Sequence, residues 1–193
     1  MEIDNDPAYQ QMINGELYME SPILQERRRY VRREIMKYNQ IADNDERNNG
    51  MKSLLRSVGD RFFVEPTFEF SYGVNITIGN HFYANHGVTI CDEGVVKIGN
   101  DCKFGPKVGL YTPVHPLDPT VRRTEAERTA PITIGNDVWI GGSAMILPGV
   151  TLGNNVVVGA GSVVTHSFPD NVVVVGNPAR VLKTNEPSAP VDK

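Results

Sequence analysis

One spacing constrains this chain more than any other feature: an aliphatic residue returns every six positions. The residues that share it are Ile134, Ile140, Ile146, Leu152, Val158 and Val164. Apolar or small residues also stand two positions before each of them, so every hexad directs a pair of side chains to one side of an extended chain. An α-helix needs a period near 3.6. The spacing therefore excludes helix and predicts short strands across residues 74–167.

The dipeptide Gly-Asn sets a longer period along the same region. It starts at positions 79, 99, 135 and 153, with gaps of 20, 36 and 18 residues. Both residues tolerate positive φ and favour turns. Eighteen residues are three hexads, which predicts three strands and three corners per turn, the pattern of a triangular parallel β-helix. Two extra residues fall near 92–94, and residues 112–131 lose the core pattern, so we predict that they protrude as a loop.

A different pattern precedes the repeats. Ser21 and Pro22 suit an N-cap and a first helical turn, and apolar residues then recur with helical spacing. Shorter helices are predicted near 7–13 and 45–58. We therefore predict a helical cap over residues 1–58, a β-helix domain over 59–183 and a flexible tail over 184–193, in a fold that is mainly β.

Composition limits the class of partner. The net charge of −4 argues against nucleic acid or an anionic membrane surface. No basic segment followed by an apolar run opens the chain, and the two cysteines match no zinc or redox spacing. We expect a cytoplasmic protein with reduced thiols and without a nucleic acid or membrane partner.

The predicted loop carries the chain's best candidate for a reactive side chain, His115 between Pro113 and Pro116. The two-residue insertion with Asp92 and Glu93 leaves the coil at the same corner, one turn earlier. These carboxylates are therefore predicted near the base of the loop, where either of them orients the imidazole or holds a substrate. An imidazole titrates near pH 6.5, so it can take a proton from a hydroxyl group close to neutral pH.

A column of small residues follows the second hexad of each turn. It contains Asn85, Gly105, Gly141 and Gly159, followed by His86, Pro106, Gly142 and Ala160. Small side chains expose backbone groups that a thin, extended ligand can approach. Glycine is also common at the corners of any such coil, so the column alone leaves a purely structural role open.

Several segments in a fixed order carry a family resemblance: GELY…MKYN, FSYGVNITIGNHFYAN, TPVHPLDP, ITIGNDVWIGG and VVGNPARVLK. Between about residues 8 and 183 the chain resembles the maltose and galactoside O-acetyltransferases, which are hexapeptide-repeat acyltransferases. The resemblance implies a left-handed parallel β-helix and a homotrimer with active sites between neighbouring subunits. It also implies acetyl transfer from acetyl-CoA to a sugar hydroxyl of the maltose, glucose or galactoside type, without a metal.

The resemblance also assigns roles to individual residues. His115 matches the family's catalytic base, Asn85 matches an asparagine at the acceptor, and Ser71 and Tyr83 match acceptor-site neighbours. The positions that match coenzyme contacts are Gly105, Trp139, Gly142, Ala160, Thr165, His166, Arg180 and Lys183. The N–H of Gly142 would stabilise the oxyanion of the tetrahedral intermediate, and the two cations near the C-terminus would meet phosphates.

The chain departs from the family pattern in the helical cap. An aspartate that often faces the acceptor is missing, which makes Glu20 the expected substitute. Arg28 falls on the apolar stripe of its predicted helix and is expected, with Asp92 and Glu93, at the acceptor. The other arginines of this segment are expected to face solvent: Arg27, Arg29, Arg32 and Arg33.

Two other functions fit the repeat. A β-helix zinc lyase resembling the gamma carbonic anhydrases would need three imidazoles, for which His81, His86 and His115 are available. Their order along the chain is opposite to that family's. A non-catalytic trimeric scaffold would use the loop only as an interface and would not bind acetyl-CoA.

Overall fold

The computed structural model describes residues 2–186, which form a parallel β-solenoid of about six turns with helices at its N-terminal end. The predicted mainly β, hexapeptide-repeat fold with a helical cap is therefore confirmed. Within residues 2–186, no helix combines the length and the apolar character needed to cross a membrane.

A short 3₁₀ helix and three α-helices come first: Glu2–Asn5, α1 (Pro7–Ile13), α2 (Pro22–Tyr38) and α3 (Asn44–Leu54). The N-cap of α2 is formed by Ser21, whose Oγ accepts the N–H of Leu24 at 3.2 Å. The third helix stops at Leu54, earlier than the predicted residue 58. The reason is that residues 57–58 pair with residues 77–78 as the first strand of the solenoid.

The strands form three faces. Face one contains β1 (Ser57–Val58), β4 (Ile76–Ile78), β7 (Val96–Ile98), β12 (Ile132–Ile134) and β15 (Thr151–Leu152). Face two contains β2 (Phe63–Val64), β5 (Tyr83–Ala84), β8 (Lys103–Phe104), β13 (Trp139–Ile140), β16 (Val157–Val158), β18 (Val172–Gly176) and β19 (Ala179–Thr184). Face three contains β3 (Phe68–Phe70), β6 (Val88–Cys91), β9 (Gly109–Tyr111), β14 (Met145–Ile146) and β17 (Val163–Val164).

The register of face one repeats the spacing of the Gly-Asn dipeptides. Ile98 pairs with Ile78 on one side and with Ile134 on the other. Ile134 in turn pairs with Leu152, so the offsets are 20, 36 and 18 residues. The inward side chains of all three faces are buried and form one continuous apolar core. This core fixes the register because a shift by one residue would turn its side chains outward.

A ladder of side-chain carbonyl and carboxylate oxygens runs along one corner, which we call the asparagine ladder. Each oxygen accepts the backbone N–H of the rung below it, at 2.7–2.9 Å: Asn80 from Asp60, Asn100 from Asn80, Asn136 from Asn100, Asn154 from Asn136 and Asp170 from Asn154. The rung between Asn100 and Asn136 spans 36 residues of sequence. The ladder therefore keeps its register across the region that contains the loop.

The loop 112–131 leaves the solenoid as an antiparallel ribbon, in which β10 (Pro113–Val114) pairs with β11 (Arg128–Thr129) and α4 (Pro119–Arg122) lies between them. The hydroxyl of Thr112 accepts the N–H of Gly94 at 2.7 Å and donates to the carbonyl of Cys91 at 2.7 Å. The two-residue insertion and the loop therefore meet at one corner, as the spacing predicts.

The C-terminal part is ordered further than the predicted tail boundary at residue 184. Thr184 ends β19, which runs antiparallel to β18. The side-chain amide of Asn185 donates to Asn155 Oδ1 at 2.8 Å, and its backbone N–H donates to the carbonyl of Asn171 at 2.8 Å. These bonds attach residue 185 to the last turns; the rest of the predicted tail, residues 187–193, lies outside the described residues.

Candidate active site

A cavity of about 620 Å³ lies between the helical cap and the loop, and we call it the cap–loop cavity. It is lined by Tyr18, Met19, Glu20, Gln25, Arg28, His115, Arg122, Glu125 and Glu127. Most of these side chains carry a charge or a hydrogen-bonding group. The cavity therefore suits a small polar molecule that has several hydroxyl groups.

His115 enters this cavity directly after β10, and its side chain is 63% exposed. Its Nε2 atom lies 3.7 Å from Oε2 of Glu127. The hydroxyl of Tyr18 donates to the other oxygen, Oε1, of the same carboxylate. The imidazole thus reaches the cavity with one carboxylate beside it.

A chain of charged contacts joins three of the predicted acceptor residues. Arg28 donates from Nη1 to Glu20 Oε1 at 3.1 Å and from Nη2 to Glu93 Oε1 at 3.3 Å. The hydroxyl of Tyr72 donates to the same oxygen of Glu20. Glu20, Arg28 and Glu93 are therefore held together beside the cavity that His115 enters.

Asp92 behaves differently from Glu93, although both are buried. Its Oδ1 atom accepts the N–H groups of Ser71 and Tyr72, each at 2.8 Å. Among the described residues, Asp92 Oδ2 and Glu93 Oε2 have no hydrogen-bond partner. Burial raises the pKa of the Asp92 carboxyl to about 8. The N–H donors oppose this rise, and the charge of Glu93 adds to it. Asp92 lines neither the cap–loop cavity nor the groove described below.

Ser71 lines an adjoining cavity of about 350 Å³, which also has Arg28, Arg32 and Cys91 in its wall. Arg28 is common to this cavity and the cap–loop cavity. The predicted acceptor residue Ser71 is therefore close to the charged chain without facing His115 in the same cavity.

Arg27 does not face solvent, and the prediction for this arginine is wrong. Its Nε donates to the carbonyl of Tyr72 at 2.9 Å, and its Nη2 donates to the carbonyl of Leu54 at 2.8 Å. Buried carbonyl groups need donors, and a guanidinium supplies several in fixed directions. Arg27 thereby ties helix α2 to the first turns of the solenoid.

A third cavity, which we call the face-two groove, has a volume of about 530 Å³. It is lined by Tyr83, Asn85, Lys103, Phe104, Gly105, Pro106, Trp139, Gly141, Gly142, Val157, Val158, Gly159 and Ala160. This set contains Tyr83 and Asn85 from the predicted acceptor side. It also contains Gly105, Trp139, Gly142 and Ala160 from the predicted coenzyme side.

Successive turns stack closely along this groove. A Cβ atom on Gly105 would lie only 2.6 Å from the backbone nitrogen of Gly142, so glycine is required for the turns to stack this closely. The N–H groups on either side, of Gly141 and Ser143, donate to carbonyls at 2.7 and 2.8 Å. Within residues 2–186 the N–H of Gly142 has no such acceptor. It is therefore available to a ligand in the groove.

The remaining predicted coenzyme residues lie outside the groove lining. The hydroxyl of Thr165 is 3.3 Å from Nδ1 of His166, and the ring of His166 packs on Phe168 with centroids 4.5 Å apart. Arg180 and Lys183 are exposed on β19, the edge strand of face two. Arg180 and Lys183 therefore lie on the same face as the groove, whereas Thr165 and His166 follow β17 of face three.

The cap–loop cavity and the face-two groove share no lining residue. A single chain therefore does not bring His115 and Asn85 into one cavity. Sequence reasoning also missed Tyr18 and Glu127, whose side chains meet across 109 residues of sequence. Tyr18 falls within the quoted GELY segment, but no periodic signal marks Glu127.

The histidines give no metal centre in the described part of one chain. The ring of His81 lies 2.9 Å from Asp101 Oδ1 at an exposed corner, away from His115 in its loop. Residues 2–186 contain no group of three or more His, Cys, Asp or Glu side chains placed to hold a metal ion. The three imidazoles that a zinc lyase would need are therefore not assembled in this chain.

Two family patterns match the chain. Residues 131–166 match the bacterial transferase hexapeptide (six repeats), and residues 11–59 match the maltose acetyltransferase hexapeptide capping motif. The first lies in the later turns of the solenoid, and the second covers most of the helical cap.

Comparisons with individual proteins agree. The galactoside O-acetyltransferase of Escherichia coli K12 is 44% identical over 142 residues, covering 74% of this chain and 70% of that protein. A maltose O-acetyltransferase from Clostridium difficile 630 has a TM-score of 0.89 at 36% identity, covering 93% of this chain and 98% of that one. A hexapeptide-repeat acetyltransferase from Vibrio cholerae O1 biovar eltor, complexed with acetyl coenzyme A, has a TM-score of 0.88 at 33% identity, covering 94% and 100%. This chain therefore belongs to the hexapeptide-repeat acetyltransferases of the galactoside and maltose O-acetyltransferase type.

Proposed function

We propose that this protein transfers the acetyl group of acetyl-CoA to a hydroxyl of a sugar, with His115 as the general base, between neighbouring copies of a homotrimer. The observation that carries the proposal is the division of the site into two unlike halves. One half is a groove with a free backbone N–H, and the other is a charged cavity with an imidazole.

The face-two groove supports the coenzyme half of the proposal. Its lining includes four glycines, Ala160 and Pro106, so a thin pantetheine arm can lie against the backbone. Trp139, which is 56% exposed, offers an apolar surface beside it. Arg180 and Lys183 stand further along face two, where cations would meet the phosphates.

The cap–loop cavity supports the acceptor half. A sugar presents hydroxyl groups that both donate and accept hydrogen bonds, and the cavity supplies carboxylates and a guanidinium to match them. Glu20 and Arg28 are held by each other and by neighbours, so they are already oriented before an acceptor arrives. Glu20 thereby takes the place of the family's missing aspartate.

The proposed reaction follows from these groups. The imidazole of His115 takes the proton of an acceptor hydroxyl as its oxygen attacks the thioester carbonyl carbon. The N–H of Gly142 donates to the oxyanion that forms on the former carbonyl oxygen. Collapse of this intermediate breaks the carbon–sulfur bond, and the CoA sulfur leaves with the proton that the imidazolium returns.

A trimer would complete the site. Because His115 and Asn85 line different cavities of one chain, a neighbouring copy must bring a groove to the cap–loop cavity. The side chain of Leu117 near the loop tip is 93% exposed, which suits a loop that packs against another copy. Light scattering should therefore give the mass of three chains.

A panel of acceptors tests the reaction. Purified protein is incubated with acetyl-CoA and maltose, glucose, a galactoside or a non-sugar alcohol, and the release of free thiol is measured. We expect turnover with at least one sugar and little with the simple alcohol. Thiol release that does not depend on any sugar would contradict the acceptor class.

Subunit mixing tests the division of the site. His115→Ala and Asn85→Ala proteins, each with low turnover, are mixed, partly unfolded and refolded together. If each site takes His115 from one copy and Asn85 from the next, random reassembly of trimers restores about a quarter of the sites. Activity that stays at the level of the separate variants would place both residues in the same subunit's site.

A further inference from the structure

We propose that Glu127 is a positioning residue for His115 and that Tyr18 holds Glu127 in place. This inference rests on the proposed role of His115 as general base. It adds two residues that the sequence pattern does not mark, one from the cap and one from the loop.

The two oxygens of the Glu127 carboxylate face different partners. Oε1 accepts the hydroxyl of Tyr18, and Oε2 lies 3.7 Å from Nε2 of His115. A carboxylate with one oxygen fixed has few remaining orientations, so the second oxygen stays directed at the imidazole. The 3.7 Å separation is longer than a hydrogen bond, as catalytic contacts often are before substrate binds.

The backbone keeps this pair together independently of the side chains. The N–H of Tyr18 donates to the carbonyl of Glu127 at 3.0 Å, and the N–H of Glu127 donates to the carbonyl of Tyr18 at 3.1 Å. Tyr18 is buried. Burial, followed by the hydrogen bond to Glu127, raises the pKa of the Tyr18 hydroxyl, so it keeps its proton and remains a donor.

The carboxylate acts on the base in two ways. It orients the ring, which leaves the other ring nitrogen for the acceptor's proton. It also stabilises the imidazolium that forms when that proton is taken. Both effects favour the transition state more than the ground state, so they belong in kcat rather than in KM.

Other charged groups line the same cavity, but they are placed differently. Arg122 donates to the carbonyls of Pro116 and Leu117 at 2.9 and 3.0 Å, which holds its guanidinium at the loop. Arg28 is paired with Glu20 and Glu93. Glu125 is exposed, and among the described residues only Glu127 offers His115 a carboxylate within 4.0 Å.

The test compares Glu127→Gln with Glu26→Gln, a neutral replacement at an exposed position of α2 that lines none of the cavities. Glutamine keeps the size of the side chain and an oxygen for Tyr18 but removes the charge. We expect Glu127→Gln to lower kcat by about 10-fold, below the 10²–10⁴-fold cost of removing a base, with both KM values unchanged. We also expect the acidic limb of its pH–kcat profile to move to lower pH, because the imidazolium loses its counter-charge. Glu26→Gln should leave both readouts at the wild-type level.

A double-mutant cycle separates positioning from stability. Tyr18→Phe should lower kcat by a smaller factor, and Tyr18→Phe/Glu127→Gln should be no slower than Glu127→Gln alone, because the tyrosine acts through the carboxylate. Additive losses, or a Glu127→Gln enzyme with wild-type kcat and pH profile, would overturn the inference. His115→Ala distinguishes the two proposals. If His115→Ala keeps turnover, the assignment of His115 as the base is wrong. If His115→Ala loses turnover while Glu127→Gln keeps the wild-type kcat and pH profile, only the role of Glu127 is wrong.

Discussion

The face-two groove and the cap–loop cavity differ in which atoms they expose. The groove is lined mainly by small, aliphatic and aromatic residues, and its polar side chains are those of Tyr83, Asn85 and Lys103. The cap–loop cavity is walled by glutamates, arginines and a histidine, which come from the cap and from the loop. One region is therefore mainly apolar, and the other is mainly charged.

This difference follows from where each region stands relative to the repeat. Residues of the groove recur once per turn, so close stacking of turns creates the groove as it creates the core. The cap–loop cavity lies where the repeat is interrupted, and its side chains are positioned by contacts between distant segments such as Arg28 and Glu93. Regular structure supplies the surface, and irregular structure supplies the reactive groups.

Removing the imidazole of His115 should have the largest effect and should affect the cap–loop cavity alone. We expect His115→Ala to lower kcat by roughly 10²–10⁴-fold, because the cavity loses its base, while binding of acetyl-CoA in the groove is unchanged. Steady-state kinetics and calorimetric titration with acetyl-CoA measure the two quantities. His81→Ala, at an exposed corner, serves as the control. Loss of coenzyme binding in His115→Ala would mean that the halves are not separable.

The buried carboxyl of Asp92, beside Glu93 in the charged cluster, should make the stability of the fold depend on pH. Burial raises the pKa of the Asp92 carboxyl to about 8 in the folded protein, well above the ordinary value of an aspartate, so the folded state holds the proton more tightly. Stability conferred by this proton is present below about pH 4 and is lost as pH rises toward 8, by at most about 1.4 kcal/mol per pH unit. Asp92→Asn, which keeps an oxygen for the N–H groups of Ser71 and Tyr72, should flatten this slope.

Chemical denaturation at a series of pH values between 4 and 8 measures that slope. Glu69→Gln removes an exposed carboxylate on the same face and serves as the matched control. An Asp92→Asn protein with the wild-type slope would show that the buried carboxyl is not the source of the pH dependence.

An apolar change should affect only the groove. We expect Trp139→Ala to raise the KM for acetyl-CoA by about 10-fold, since it removes an exposed apolar wall worth roughly 1.5 kcal/mol of contact. The KM for the acceptor should stay constant. Met145→Ala, on β14 of face three with 44% exposure, controls for loss of surface apolar area. Equal changes in the two variants would remove Trp139 from the coenzyme site.

The smallest effect is expected at the far end of face two. Arg180→Ala should raise the KM for acetyl-CoA by about 3-fold, with a smaller change for the acceptor, because an exposed ion pair with phosphate is weak. Lys97→Ala, an exposed lysine on face one, is the control. If the KM values for coenzyme and acceptor rise equally, Arg180 does not contact the coenzyme.

The periodic parts of this molecule were predictable because equivalent positions recur in every turn, so the same residue type is seen several times along the chain. Ile134 and Ile140 were recognised as core residues because neighbouring turns have apolar residues at the equivalent positions. The offsets of 20, 36 and 18 residues between Gly-Asn dipeptides are also the offsets between paired strands. The end of α3 was less predictable. Residues 57–58 have no equivalent before them, so only their pairing with β4 shows that they belong to the solenoid.

Side chains that have no equivalent in other turns were harder to predict. Arg27 and Arg28 are adjacent in sequence, yet one caps backbone carbonyls and the other joins two glutamates. Glu127 meets Tyr18 only after the loop has folded back on the cap. Family resemblance located His115 and Asn85, but their separation into two cavities needed the structure.

The asparagine ladder has a consequence for how such a protein can change in length. Each rung bonds only to the next turn, and the step from Asn100 to Asn136 is as short as the others although 36 residues separate them. Segments inserted at the other corners therefore leave the hydrogen bonds of the ladder unchanged. A lineage can lengthen the loop, or add whole turns, without disturbing the rungs already in place. The lengths of the loop and of the face-two groove are therefore free to change separately.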